Sequence, residues 1–351
     1  MKKENSIHPE LRFDPLGRDW VIVARKRAFR PDSFKKKEEI EIPPKENCPF
    51  CNLEKDTKVL LAFNQGQEIK ISLEETISTL EEKNNWTTIV IPNKYPALEP
   101  DIPEYKKKIG FYELISAKGF HEVVIYKDHI KNLSLFNLDE IKEVLDVYQK
   151  RYLEISKNKF IKYISIFHNH GKTAGASIFH CHSQIIATPL IDVDLFQALK
   201  SAKRYYAKEK KCIYCVSNKW EKRQKKRIVF ENKYFLAICP FASKVPFEII
   251  ITPKKHTSFF EKISEEEKKY LAEAFLVVLK KLYKGLSNPD YNFYLHTAPC
   301  DHQNFKKYHY YHWHWTFLPK TSTPAGFEFG AKMEIVTITP EEAADYLRKI
   351  T

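Results

Sequence analysis

The chain of 351 residues is long enough for one large domain or two of ordinary size, and an apolar share of 43%, with 24 Phe and 19 Tyr, excludes disorder as a description of the whole. Fifty-eight basic against 45 acidic side chains give +13, which favours anionic partners such as phosphates, nucleotides or nucleic acid without choosing among them. No apolar run approaches the ~18 residues of a membrane span. Met1 to Asn5 lead into no signal-peptide core. Seven cysteines, in two close pairs and three singles, fit reduced cytoplasmic thiols better than a secreted disulfide framework.

In chain order, Asp14-Pro15-Leu16-Gly17 reads as a turn into a strand at Trp20-Val21-Ile22-Val23, followed by Arg25, Arg27 and Arg30-Pro31. Guanidinium forks of this kind suit phosphate oxygens. Next comes Cys48-Pro49-Phe50-Cys51, and later an apolar strand from Phe120 that ends near His129. Asn137 with Glu140 has capping-box spacing and predicts a helix whose apolar face is Leu138, Ile141, Leu145, Tyr148 and Tyr152. A further strand leads to Asn169, Gly171 and the small-residue run Thr173-Ala174-Gly175-Ala176-Ser177, then to His180-Cys181-His182. The run reads as a loop whose backbone and hydroxyl donors can approach an oxyanion.

The same order then recurs. Cys212-Ile213-Tyr214-Cys215 is followed by a strand ending near His256. Ser264 with Glu267 caps a helix bearing Leu271, Phe275, Val278, Leu279 and Leu282, and a last strand carries His312-Trp313-His314. Two matches in register predict an internal duplication, residues 1–190 and 191–351, folded around one shared sheet. The Lys-rich stretches Lys35–Lys37, Lys106–Lys108 and Lys219–Arg227 read as solvated loops and linkers.

Strand alternation puts His180, His182 and Gln184 on one face and Cys181 and Ser183 on the other, with same-face neighbours about 6.5–7 Å apart. That separation is too long for both histidines to share one ion. Zinc closes structural sites with four Cys and His ligands. Cys48, Cys51, His129 and His180 make one such set, and Cys212, Cys215, His256 and His312 a second. His121 competes with His129, but the spacing to the helix in both repeats favours His129. Cys181, Cys239 and Cys300 read as core residues, and His168 and His170 as satisfied loop histidines. His296 and His314 could extend the second set; because the donor loop has no counterpart beside His314, a structural role is favoured. His182 is left free of metal, and a neutral imidazole can attack phosphorus if its other nitrogen is held by an acceptor.

These residues resemble the galactose-1-phosphate uridylyltransferases of the histidine-triad superfamily. The likeness runs through Asp14-Pro15-Leu16, Arg27 to Pro31, Cys48 to Cys51, Ile91 to Leu98, Asp128-His129, Asn169 to Gln184, Pro324 to Glu328 and Pro340 to Ala344. It implies an α+β fold in which two histidine-triad-like repeats contribute antiparallel strands to a shared sheet with packed helices. It also implies His182 as the nucleophile, Gln184 as stabiliser of the nucleotidyl group, and Cys48, Cys51, His129 and His180 as zinc ligands. Arg27, Arg30, Asn93, Asn169 and Ser177 match positions that touch the nucleotide or its phosphates. Phe327 and Glu328 fall in the sugar-recognising segment. The layout is shared by ADP-glucose phosphorylases and related nucleotide phosphorylases.

Three departures from the family pattern matter, the first for strand rigidity and the other two for recognition of the nucleotide. Cys181 stands where the best-known uridylyltransferases have Pro, Lys94 where they have Asp, and Cys212 with Cys215 look like the phosphorylase branch. The expected activity is therefore ping-pong uridylyl transfer from UDP-glucose to a hexose 1-phosphate in galactose metabolism, by a cytoplasmic homodimer holding one or two structural zinc ions. The expected partners are a nucleoside diphosphate sugar and a sugar 1-phosphate, with no membrane and no nucleic acid. The alternative is an ADP-glucose phosphorylase that passes adenylyl to phosphate. A triad-type hydrolase ranks lower because it normally lacks a sugar-recognising tail, and a zinc-ribbon nucleic-acid binder because it does not explain His182 and Gln184 on one face beside a donor loop.

Overall fold

The structure is a computed structural model that describes residues 8–27, 42–72, 75–82, 86–300 and 305–351. In chain order its strands are β1 (Glu10–Phe13), β2 (Trp20–Val23), β3 (Leu61–Asn64), β4 (Gln67–Ile69), β5 (Thr88–Pro92), β6 (Lys106–Ile109), β7 (Tyr112–Ile115) and β8 (Phe120–Tyr126). They continue with β9 (Tyr163–His170), β10 (His182–Thr188), β11 (Ile228–Glu231), β12 (Phe235–Ile238), β13 (Ile249–Pro253), β14 (Tyr291–His296), β15 (His314–Pro319) and β16 (Ile335–Val336). The helices are α1 (Ile77–Glu82), α2 (Leu138–Ile155), α3 (Val193–Glu209), α4 (Ile213–Gln224), α5 (Glu265–Gly285), α6 (Gly326–Ala331) and α7 (Pro340–Lys349).

Eleven strands form one sheet in the order β11-β12-β13-β15-β14-β9-β10-β8-β5-β3-β4, antiparallel throughout. Its seam is β14 against β9, where Phe293 faces His168, so both halves of the chain contribute to a common sheet as expected. The registers of the two halves correspond. Gln184 pairs with Val123 and Phe167, while Thr316 pairs with Ile250 and Tyr294. The offset that carries His129 to His256 also carries Val123 to Ile250 and Phe167 to Tyr294.

Two long helices cover one face. Both expected capping boxes are present: Asn137 with Glu140 opens α2, and Ser264 with Glu267 opens α5. Leu271, Phe275, Val278, Leu279 and Leu282 are all buried on α5. Each such side chain removed from water contributes roughly 1.5–3 kcal/mol. On α2 the expected stripe holds from Ile141 to Tyr152, but Leu138, in the first turn, is exposed. The two helices are tied by Lys268 Nζ on Asp146, 2.5 Å, and α2 is tied to the sheet by the buried Arg151–Glu122 pair.

The basic stretches differ from the loop reading. Lys106–Lys108 lie in β6 of an exposed hairpin, because alternation with Glu113 across the pair offers partners on the strand. Lys219–Gln224 complete α4, and Arg227 is buried between Glu221 and Glu341. Lys35–Lys37 lie outside the described residues.

One carboxylate is buried at a cost. Glu261 Oε2 has no hydrogen-bond partner, and burial pushes its pKa up to about 7 from 4.5. The unfolded chain releases this proton first, so its contribution to stability falls as pH rises from about 4.5 to 7. Glu261→Gln is therefore expected to raise stability at pH 8 by on the order of 2 kcal/mol and to change little at pH 4, as read by denaturant midpoints at the two pH values.

Candidate active site and two metal-ligand sets

The first set forms where the sheet meets the Cys48–Cys51 turn. Cys48, Cys51, His129 and His180 place four donor atoms within 4.8 Å of one another, and Cys212, Cys215, His256 and His312 do the same. In the first set His180 Nδ1 lies 3.4 Å from both sulfurs, and His129 Nδ1 lies 3.3 Å from Cys51 Sγ. In the second, His256 Nδ1 and His312 Nδ1 lie 3.5 and 3.6 Å from Cys215 Sγ. A tetrahedral zinc with bonds of about 2.3 Å to sulfur and 2.0 Å to nitrogen sets S and N about 3.5 Å apart, so both sets fit that ion.

The outer nitrogens reinforce the fit. His180 Nε2–H donates to the Tyr126 carbonyl at 2.6 Å and His129 Nε2–H to Pro43 at 2.8 Å. His312 donates to Pro253 at 2.8 Å and His256 to His309 at 2.7 Å. Every ring is thus turned to offer Nδ1 inward, the arrangement in which a backbone acceptor fixes tautomer and orientation of a metal-bound imidazole. His121 belongs to neither set, and neither do His296 and His314, whose rings stack on each other at 4.7 Å.

His182 opens β10 two residues after His180. Both rings touch Phe50 edge-on, at 5.9 Å for His180 and 5.0 Å for His182, so they lie on the same side. His182 Nδ1–H donates to the His180 carbonyl at 2.9 Å, which leaves the lone pair on Nε2. Burial holds this ring below the usual imidazole value of 6.5, with the hydrogen bond to His180 offsetting part of the shift, so it is neutral near pH 7. Ser183, Ile185 and Ala187 point the other way into the core. Behind the strand, Ser183 Oγ meets Tyr126 Oη at 2.8 Å, Tyr148 Oη at 2.7 Å and His168 Nδ1 at 3.1 Å. His168 and His170 are strand residues of β9, not loop residues. Cys181, Cys239 and Cys300 are buried in the main core, as expected.

Gln184 follows His182 on the same face. Its Oε1 accepts from His121 Nε2–H at 2.8 Å, while His121 Nδ1 accepts from the Ala97 backbone N–H at 3.1 Å. The Gln184 amide is thereby oriented with its NH2 donors turned away from His121. Sequence reasoning weighed His121 only as a ligand. The signal it missed is register: Gln184 pairs with Val123, which puts His121 diagonally across on the same face. Asn93 sits beside this pair, with Nδ2 3.1 Å from His121 Nε2 and Oδ1 accepting from Tyr95 N–H.

The donor loop is held from the other half of the chain. Thr173 N–H donates to Asp290 at 2.8 Å, and Asn292 Nδ2 donates to Ala174 O and Asn169 Oδ1 at 2.8 and 2.7 Å. Gly171 has φ +82°, and a Cβ there would lie 2.0 Å from Asp290 Oδ1, so only glycine fits. Ser177 is exposed in the same loop. Arg27 ends a short turn at Arg25–Arg27, and Arg30 lies outside the described residues. Phe327 and Glu328 stand on the exposed α6, where Glu328 accepts from Ala325 N–H at the helix start; no hydrogen bond joins them to His182 among the described residues.

Loss of the Gln184 donor tests the role of this amide. Gln184→Ala is expected to lower kcat about 10²–10³-fold with a smaller change in KM, the size seen when one donor to a developing anion is removed. Steady-state kinetics with circular dichroism as a fold control would check it.

Comparison with known proteins agrees along the whole chain. Residues 1–192 match the family model described as galactose-1-phosphate uridyl transferase, N-terminal domain, and residues 198–351 its C-terminal domain. An ADP-glucose phosphorylase of Arabidopsis thaliana is 33% identical over 98% of this chain and 93% of its own. A galactose-1-phosphate uridylyltransferase of Thermotoga maritima is 30% identical over 97% of this chain and 98% of its own. The crystal structure of an Arabidopsis thaliana ADP-glucose phosphorylase with bound ADP-glucose superposes with a TM-score of 0.77 at 29% identity, covering 98% of this chain and 99% of that one. With the histidine pair, the donor loop and both ligand sets in place, the chain belongs to the galactose-1-phosphate uridyl transferase family of nucleotidyl-transferring enzymes.

Proposed function

We propose that the protein is a UDP-glucose:hexose-1-phosphate uridylyltransferase acting through a nucleotidyl-histidine. The observation that carries this is the His182 imidazole, whose Nδ1–H is spent on the His180 carbonyl so that Nε2 holds the lone pair, on the strand face that Gln184 shares. Nε2 attacks the α-phosphorus, and the bond from that phosphorus to the bridging oxygen breaks. The sugar 1-phosphate leaves with the electron pair. In the second half, a phosphate oxygen of galactose 1-phosphate attacks the same phosphorus, the P–N bond breaks and the ring regains its lone pair. The Gln184 amide and the 171–177 loop donate to the nonbridging oxygens as charge builds there. Arg27 and Arg30 add charge, Asn93 and Asn169 bound the nucleotide, and Phe327 and Glu328 recognise the hexose.

Zinc at Cys48, Cys51, His129 and His180 would anchor the start of β10, and with all four places filled by protein it would supply rigidity rather than Lewis-acid chemistry. Cys212, Cys215, His256 and His312 would hold a second structural ion. The working form is a cytoplasmic homodimer of two repeats meeting near residue 190. The test is exchange: without a second acceptor, labelled glucose 1-phosphate should enter UDP-glucose at a rate comparable to kcat. Turnover with galactose 1-phosphate but no such exchange would contradict a covalent intermediate.

A second reading is an ADP-glucose phosphorylase, with inorganic phosphate as acceptor. It is favoured by the similarity to the Arabidopsis enzyme and by the two cysteines of the second set. The ratio of kcat/KM for UDP-glucose with galactose 1-phosphate to that for ADP-glucose with phosphate decides between them.

A further inference from the structure

The second half of the sheet keeps the framework of the His182 site and replaces its chemistry. By strand register His314 stands where His182 does, Thr316 where Gln184 does, His296 where Asn169 does, and Glu248 where His121 does. This framework still encloses space. A cavity of about 310 Å³ lies over β13–β15, roofed by the Asp14–Gly17 turn, α3 and α4. That volume is at the small end of those that hold small molecules.

His314 lines the cavity and is more than nine-tenths buried. Its Nδ1–H donates to the His312 carbonyl at 3.3 Å, repeating the His182 arrangement, and its Nε2 has no protein partner among the described residues. An unpartnered imidazole nitrogen that opens onto a cavity is free to meet a ligand or water there. The charged lining is mostly acidic, with Glu221 paired to Arg227 behind it, and Gln197, Asn218 and Thr252 are neutral polar neighbours. Asp14, Asp19, Asp194, Glu221 and Glu248 face a single Lys244, which Asp19 already pairs at 3.1 Å. Among the described residues no arginine lines it, and the small-residue donor loop that could cradle a phosphate has no counterpart there.

We propose that this cavity is a second ligand site, separate from the His182 centre, for a small uncharged polyol of the hexose class. Carboxylates accept from sugar hydroxyls and repel phosphate, so the site selects free sugar against sugar phosphates and nucleotides. His314 and Thr316 supply the exchangeable donor and acceptor at its floor, and Tyr214 and Tyr294 supply apolar ring surface for the C–H faces of a sugar. The inference rests on the cavity itself and does not depend on which nucleotide His182 accepts.

Saturation-transfer NMR of the zinc-loaded protein with glucose and galactose tests it. Transfer to the free hexose should survive saturating UDP-glucose or ADP-glucose, and should fall to baseline in Ala198→Trp, which plugs the rim from α3. Ser217→Trp, on the exposed face of α4, should do the same if Ala198→Trp folds poorly, and both variants should retain basal transferase activity. No transfer from either hexose, transfer abolished by UDP-glucose, or transfer unchanged in both plugged variants would overturn the proposal. Binding of a polyamine in place of the hexoses would overturn the ligand class.

Discussion

Replacing His182 with glycine is expected to reduce turnover by roughly 10⁴-fold or more while leaving the fold and both metal sets intact, because among the described residues neither neighbouring imidazole can take its place. His180 cannot stand in, since its Nδ1 faces the two sulfurs and its Nε2–H is spent on Tyr126. His121 is committed at both nitrogens, to Ala97 and Gln184. The glycine also opens space next to Phe50, which packs on His182 at 5.0 Å, so added imidazole is expected to restore part of the rate. Kinetics of His182→Gly with and without imidazole would check this, with zinc content and thermal midpoint as controls. Activity within tenfold of the parent would remove His182 from the reaction.

The second large effect is expected from the first ligand set. Cys51→Ala removes a sulfur that lies 3.3 Å from His129 Nδ1 and 3.4 Å from His180 Nδ1. Structural zinc sites contribute folding free energy outright, and loss on the order of 5 kcal/mol or more is expected, with activity lost as the start of β10 is released. Metal analysis should fall from two zinc ions per chain to one. Cys215→Ala should also lose one ion but spare the His182 half of the sheet, so kcat should persist at temperatures below its lowered midpoint. The second set includes the exposed His256, whereas His129 and His180 are buried, so a chelator should strip the second ion first. A Cys51→Ala protein with two zinc ions and parental kcat would contradict the anchoring role.

Much of this architecture was legible because its signals are local. Capping boxes at Asn137 and Ser264, paired cysteines and the two His-x-His segments occur in one order twice, and each signal spans only a few residues. Each candidate ligand set was legible because two paired cysteines and two histidines supply the four donors that a closed structural zinc site uses. What escaped depends on register and on contacts between the halves. His121 orients Gln184 across a diagonal of β8 and β10, and Asp290 with Asn292 hold the donor loop from β14. Composition also misled at Lys219–Arg227, where Arg227 is buried by Glu221 and by the distant Glu341. The cavity over His314 has no sequence signature at all, since its walls come from the N-terminal turn, α3, α4 and four strands of the large sheet, β12 to β15.

The division of labour between two imidazoles is tested most directly by mass. The protein is incubated separately with UDP-glucose and with ADP-glucose, without acceptor, and intact and peptide masses are measured at neutral pH. One uridylyl or adenylyl group per chain, on the peptide bearing His182, absent in His182→Gly and discharged by galactose 1-phosphate or by phosphate, is the expected result. A stable adduct on another residue, or none from either donor in a protein that turns over, would contradict it.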